Sequence, residues 1–264
     1  MSQSKVSKIE NARVGVSVGD AAAWGRAVGI DEAGVAELSR RAGYALTETL
    51  WGRDLGPGDI ALRQHDVAAL EAGASSIHAY ETAILPGLLQ TAEYARRVFA
   101  ALKARPGELA VAARIERQSI LYTGKQLTFL LKATVLDDIP GPRSLVLAQL
   151  DRLRNLRTLP NVHIGLVRYP GRQALWVGHA FTLYEGLQDG AGLVSVETLT
   201  THLNISDEAD VETYRRTYRE LTRVAEFGPP VEAAIERAMR ERAAEPEGSE
   251  FGAVVGDGGT PLES

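Results

Sequence analysis

Between residues 127 and 199 the chain changes character. The stretches 127–136, 161–169, 180–185 and 193–199 are rich in β-branched and aromatic residues and are separated by breaks bearing Pro or Gly, so they read as strands. Elsewhere apolar residues recur at the three- and four-residue spacing of helices. Helices are expected over about 20–28, 31–45, 66–81, 91–103, 107–122, 143–158, 206–226 and 229–242. The clearest is 206–226: Ser206 stands at the N-cap position, Asp207, Glu208 and Asp210 suit the first-turn dipole, and Val211, Tyr214, Tyr218, Leu221 and Val224 line one face. Strands gathered mid-chain, with helices massed around them, predict an α+β fold, with the helices packed on a small, mostly antiparallel sheet.

The organisation follows. Residues 1–50 form a small helical region, 51–65 a Gly- and Pro-bearing linker, and 66–242 the larger domain. Residues 243–264 contain no basic residue and are expected to be a disordered acidic tail. With no cysteine among the 264 residues, disulfides, zinc fingers, iron–sulfur clusters and thiol catalysis are excluded. No apolar run approaches the roughly 20 residues of a membrane span, and the N-terminus has no signal-peptide h-region, so a cytoplasmic protein without membrane attachment is expected. A net charge of −5 argues against coating nucleic acid along the whole surface but leaves room for a small, locally basic reading element.

Such an element is present. Ser2 to Asn11 reads as a short helix with Val6 and Ile9 as apolar anchors and Gln, Ser and Lys on its other faces. Gln pairs with adenine, Lys reaches guanine or phosphate, and Ser bonds either; as residues alone, the same segment also reads as a solvated helix with incidental lysines. The run resembles the recognition helix of the XRE-type helix-turn-helix. That resemblance puts Gln3, Ser4, Lys5, Ser7 and Lys8 toward DNA and Val6 and Ile9 toward the core. The family carries two helices ahead of this one, so either an upstream start encodes them or the region is a remnant. Ala12 stands where the family usually has a helix-ending Gly.

The second signal is Glu81-Thr-Ala-Ile84-Leu85-Pro86-Gly87-Leu88-Leu89-Gln90-Thr91-Ala-Glu93-Tyr94-Ala95-Arg96. Pro86-Gly87 fixes a turn, Leu88 and Leu89 are suited to burial, and Thr91 suits a helix start. Glu81, Arg114, Glu116 and Arg117 read either as a buried polar network that holds helices together or as the lining of a pocket or partner face. The segment closely resembles the hallmark of an actinobacterial regulator domain found C-terminal to XRE helix-turn-helices, in WhiJ-like and antitoxin-like transcriptional regulators. Arg114-Ile-Glu-Arg117-Gln118, Leu159-Pro-Asn-Val162, Phe181-Thr-Leu183 and Val196-Glu197 match its later motifs, so the resemblance covers about residues 65–240. One departure is that Lys132 and Ala133 replace the acidic pair common after the family's first strand.

The resemblance implies a DNA-binding transcriptional regulator, reading an operator as a homodimer. Its larger domain would bind a small partner protein encoded nearby or a small-molecule ligand. The residues expected to do so are Glu81, Gln90, Tyr94, Arg114, Arg117 and Glu197. The other reading is a repurposed domain acting as a cofactor-independent enzyme or ligand-binding protein without DNA binding. His65, His78, His163, His179 and His202 lack metal-ligand spacing, and no P-loop, G-x-S-x-G or dinucleotide fingerprint occurs, so no metal, cofactor or catalytic residue is assigned. Asp137, Asp138 and Glu185 are generic acid–base candidates, and His163 reads as an ordinary satisfied histidine.

Overall fold

The computed structural model describes Val6 and residues 18–49, 57–101, 108–168, 177–187, 190–198 and 202–245. Within these, helices α1 (Val18–Ala27), α2 (Glu32–Thr49) and α3 (Pro57–Gly73) precede strand β1 (Ser76–Glu81). A 3₁₀ turn, Gly87–Leu89, leads into α4 (Ala92–Ala101) and α5 (Glu108–Arg117). Then come β2 (Gln126–Lys132), α6 (Arg143–Leu156), β3 (Val162–Val167), β4 (Phe181–Glu185), β5 (Leu193–Glu197) and β6 (His202–Ile205). Helix α7 (Glu208–Val224), the short β7 (Ala225–Glu226) and α8 (Pro229–Ala244) complete the described fold.

The fold is α+β. One seven-stranded sheet has the order β6-β5-β4-β1-β2-β3-β7. Only β1–β2 and β2–β3 are parallel; the other neighbours are antiparallel. Side chains alternate between the two faces of each strand. On the first face Ile77, Ala79, Leu127, Phe129, Leu131, Val162, Ile164 and Leu166 meet α6 and α8. On the second face Tyr80, Leu130, Val167, Phe181, Leu183 and Val194 meet Val211, Tyr218 and Leu221 of α7. The α1–α2 pair is joined to the rest where α2 lies against β6, the edge strand. No helix among the described residues is long and apolar enough to cross a membrane.

Five boundaries differ from the sequence reading. Residues 76–81 are a strand, not the end of a helix: α3 stops at Gly73, and Lys125 Nζ donates to the carbonyls of Glu71 (3.0 Å) and Ala74 (2.6 Å) as its cap. Helix α3 begins at Pro57, inside the expected linker, because proline in a first helical turn forfeits no backbone bond. Residues 225–226 leave α7 to pair with β3, and 133–136 form a 3₁₀ turn instead of extending β2. Asp207, not Ser206, caps α7, its Oδ1 accepting from Ala209 N at 3.0 Å and Asp210 N at 3.2 Å.

Candidate functional site

The segment after β1 turns inward. Leu85, Leu88 and Leu89 are fully buried, which carries their backbone polar groups out of water, and each of those needs a partner. Three buried glutamines supply them. Gln90 Nε2 donates to Leu85 O at 2.7 Å. Gln118 Nε2 donates to Gly87 O at 3.0 Å and Gln90 O at 2.8 Å. Gln149 Nε2 donates to Leu89 O at 2.9 Å, while its Oε1 accepts from Thr91 N at 2.7 Å. Tyr94 is a post beneath the same loop, its hydroxyl accepting from Leu85 N at 3.2 Å.

Helices α3 and α5 brace the loop from the side. Gln64 and Glu71, two turns apart on α3, face Arg114 and Arg117, one turn apart on α5. Arg117 grips Glu71 with two bonds, Nε to Oε2 at 2.9 Å and Nη2 to Oε1 at 2.6 Å; the two side chains are 8% and 5% exposed. Gln64 Oε1 accepts from both arginines. Arg114 Nη1 reaches Gln90 Oε1 at 2.7 Å, and its guanidinium lies 4.1 Å above the Phe99 ring. Glu116 stands outside this network, exposed to solvent; Glu71 fills the acidic role expected of it. The physical reason is angular, since a neighbour of Arg117 in sequence points about 100° away around the helix.

Loop and helices enclose a cavity of about 930 Å³ against the first face of the sheet. Its floor includes Ile77, Ala79, Phe129, Thr182, Tyr184 and Ser195. Ala79 pairs with Thr182, and Thr182 with Ser195, forming one row across β1, β4 and β5. Strands β1 and β5 run in the same direction, so Glu81 and Glu197, each two residues farther on, share this face above the C-terminal end of β1. Two strand spacings set their Cα atoms about 10 Å apart. The Glu81 carboxyl group makes no hydrogen bond among the described residues. Burial, reinforced by the Glu197 carboxylate and opposed by Arg114, pushes its pKa up to about 8, so it holds a proton at neutral pH. Burial also drives the Tyr184 hydroxyl upward, Glu71 adding to the effect and Arg117 opposing it.

Of the residues expected to bind, Glu81, Gln90, Arg114, Arg117 and Glu197 all line this cavity. Tyr94 supports the loop from behind and is not among the lining residues. Gln64, Glu71, Thr182, Tyr184 and Ser195 escaped the sequence reading. A signal existed for the first two, whose seven-residue spacing puts them on one face of a helix. Gln3, Ser4, Lys5, Ser7 and Lys8 lie outside the described residues. His163 is exposed beside Gln126, Asp137 and Asp138 are exposed, and Glu185 is paired with Arg215 at 2.7 Å. Among the described residues no group of three or more His, Asp or Glu is arranged to hold a metal ion.

Residues 64–237 match the domain of unknown function DUF5753. The chain belongs to the DUF5753 family. The matched span opens at Gln64, the shared acceptor of the two arginines, and takes in the braced loop and the sheet floor of the cavity. No curated protein matches the chain.

Proposed function

We propose that this DUF5753 chain is a DNA-binding transcriptional regulator of the XRE-associated, WhiJ-like class whose larger domain binds a small-molecule ligand. The observation that carries this reading is the cavity. At about 930 Å³ it falls within the roughly 300–1,000 Å³ typical of small-ligand sites, with an apolar floor and a few converging polar groups. A loop held by three buried glutamines and a buried ion pair is a preorganised wall, so little ordering cost is left for binding. Ser195 and Glu197 lie on β5, β5 pairs with β6, and β6 contacts α2, which gives an occupied cavity a contiguous route toward the N-terminal helices. The N-terminal segment carrying Gln3, Lys5 and Lys8 supplies the DNA contacts in this reading.

Selection of duplexes from a random pool by the full chain at low salt, where phosphate contacts are strongest, tests the DNA half. Enrichment of one sequence, with affinity lost in a Gln3→Ala, Lys5→Ala, Lys8→Ala triple variant, is the expected result. Recovery of no sequence above background defeats it. The protonated Glu81 favours one second reading, a cofactor-independent acid–base enzyme, since a carboxyl titrating near neutrality suits proton transfer. That reading requires turnover that disappears in Glu81→Gln while a bound ligand is retained.

A further inference from the structure

The charged groups around the cavity are not equally available. Arg117 is committed to Glu71 through two hydrogen bonds, both side chains almost wholly buried. Arg114 is held by Gln64, Gln90 and the face of Phe99. Glu81 has no hydrogen-bond donor among the described residues, and its carboxyl opens onto the cavity. Glu197 stands on the same face, and their strand positions straddle Ala180. Phe129, beside Ala79, and Tyr184, beside Ile77, line the cavity two and four residues back along the strands from Glu81. An anion entering here meets Arg114 and Arg117 already bonded within the wall and the exposed Arg97 as the one further lining arginine among the described residues, together with the field of Glu197. A cation meets a carboxyl group lacking a donor, a second carboxylate and aromatic faces, which attract cations by their quadrupoles.

We infer that the cavity takes a small organic cation, an amine on an apolar body, its charged head between Glu81 and Glu197 and its body along Phe129 and Tyr184. This inference rests on the ligand-binding reading above and specifies its chemistry. It also has a proton signature. The groups that act on or line the space around Glu81 are Glu197 on β5, Arg114 on α5, Tyr94 and Arg97 on α4 and Tyr184 on β4, with the Arg117–Glu71 pair farther along the wall. A bound ammonium restores the charged form of Glu81, which is protonated at neutral pH when the cavity is empty. Binding therefore releases a proton to solvent.

Calorimetry of the full chain with three probes of one shape tests this: phenethylammonium, the neutral 2-phenylethanol and the anionic 3-phenylpropionate. The ammonium probe is expected to bind about tenfold or more tightly than either analogue. At neutral pH its binding enthalpy in buffers of different ionisation enthalpy should report release of about one proton. In Glu81→Gln, an isostere of the protonated form, the release should vanish and the preference for the cation should shrink. Glu197→Gln should weaken the preference and reduce the release without abolishing it, because burial still favours the protonated Glu81. Preferential binding of the alcohol or the carboxylate overturns the cation assignment while leaving a ligand-binding cavity in place. Failure of all three probes to bind or to raise the unfolding temperature counts against the cavity reading itself.

Discussion

On its first face, over β1, β4 and β5, the sheet carries a loop whose backbone is tied down by glutamines, a buried Arg–Glu pair and an open volume of about 930 Å³. On its second face α7 lies directly on the strands. Phe181 packs edge-on to Tyr214 at 4.9 Å and to Tyr218 at 6.2 Å, and Gly165 makes room for Phe227, whose ring would lie 2.7 Å from an added Cβ. The second face is closed by apolar area, which is non-directional and fills space. The first face also has an apolar core, but where the cavity lies it adds directional bonds, which fix groups in place without filling the volume between them. A protein that must keep a cavity open and its lining rigid has reason to use the second kind of support, and here it occurs where the candidate site lies.

Substitutions that attack each means of support separately sharpen this contrast. The largest effect is expected from Arg117→Met, which strands Glu71 as a buried charge and should cost about 3–5 kcal/mol in urea unfolding. The double variant Arg117→Met, Glu71→Leu should recover most of that loss, whereas a cost well under 1 kcal/mol for the single change would show that the pair is not a brace. Glu81→Gln comes next, and its effect depends on pH. The folded chain keeps a proton that the unfolded chain gives up above its ordinary value of 4.5, so Glu81 lowers wild-type stability as pH rises from there through about 8. Above that range the variant should be more stable than wild type by about 2–4 kcal/mol, and near pH 4 the two should coincide.

On the second face, Gly165→Ala pushes a methyl group against Phe227 and Leu130 and should cost about 1–3 kcal/mol with no effect on probe binding at the first face. The smallest effect is expected from Arg215→Ala. Arg215 joins Glu185 at 2.7 and 2.9 Å in a half-buried pair at the rim of α7, and its loss should cost about 1 kcal/mol, diminishing with salt. If Gly165→Ala altered probe affinity as much as Arg117→Met did, the functional separation of the two faces would fail.

Much of this was legible in the residues. Strands β2, β3, β4 and β5 stand where β-rich stretches were read, and the α+β class follows from them. Strand β1 was hidden because it follows α3 after only two residues. Ser76, Ile77, His78 and Ala79 do alternate, but Ala74 and Ile77 continue the helical period of α3, and the short alternation reads as its last turn. The chemistry-bearing residues of the Pro-Gly loop and of α5 stood out by type and resemblance. Their partners did not, because which acid meets Arg117 depends on how α3 packs against α5. Glu116 was nearer in sequence, but Glu71 is the one the helix faces bring together. Gln118 and Gln149 carried no charge to attract notice, and their role exists only once the loop is buried.

Amide hydrogen exchange of the full chain, with and without saturating phenethylammonium, tests the central claim most directly. The account predicts added protection over β1, the loop through Gln90 and β5, extending to β6, with α7 unchanged. Protection confined to α7 or to the outer faces of the helices, with β1 and β5 unaffected, would contradict it.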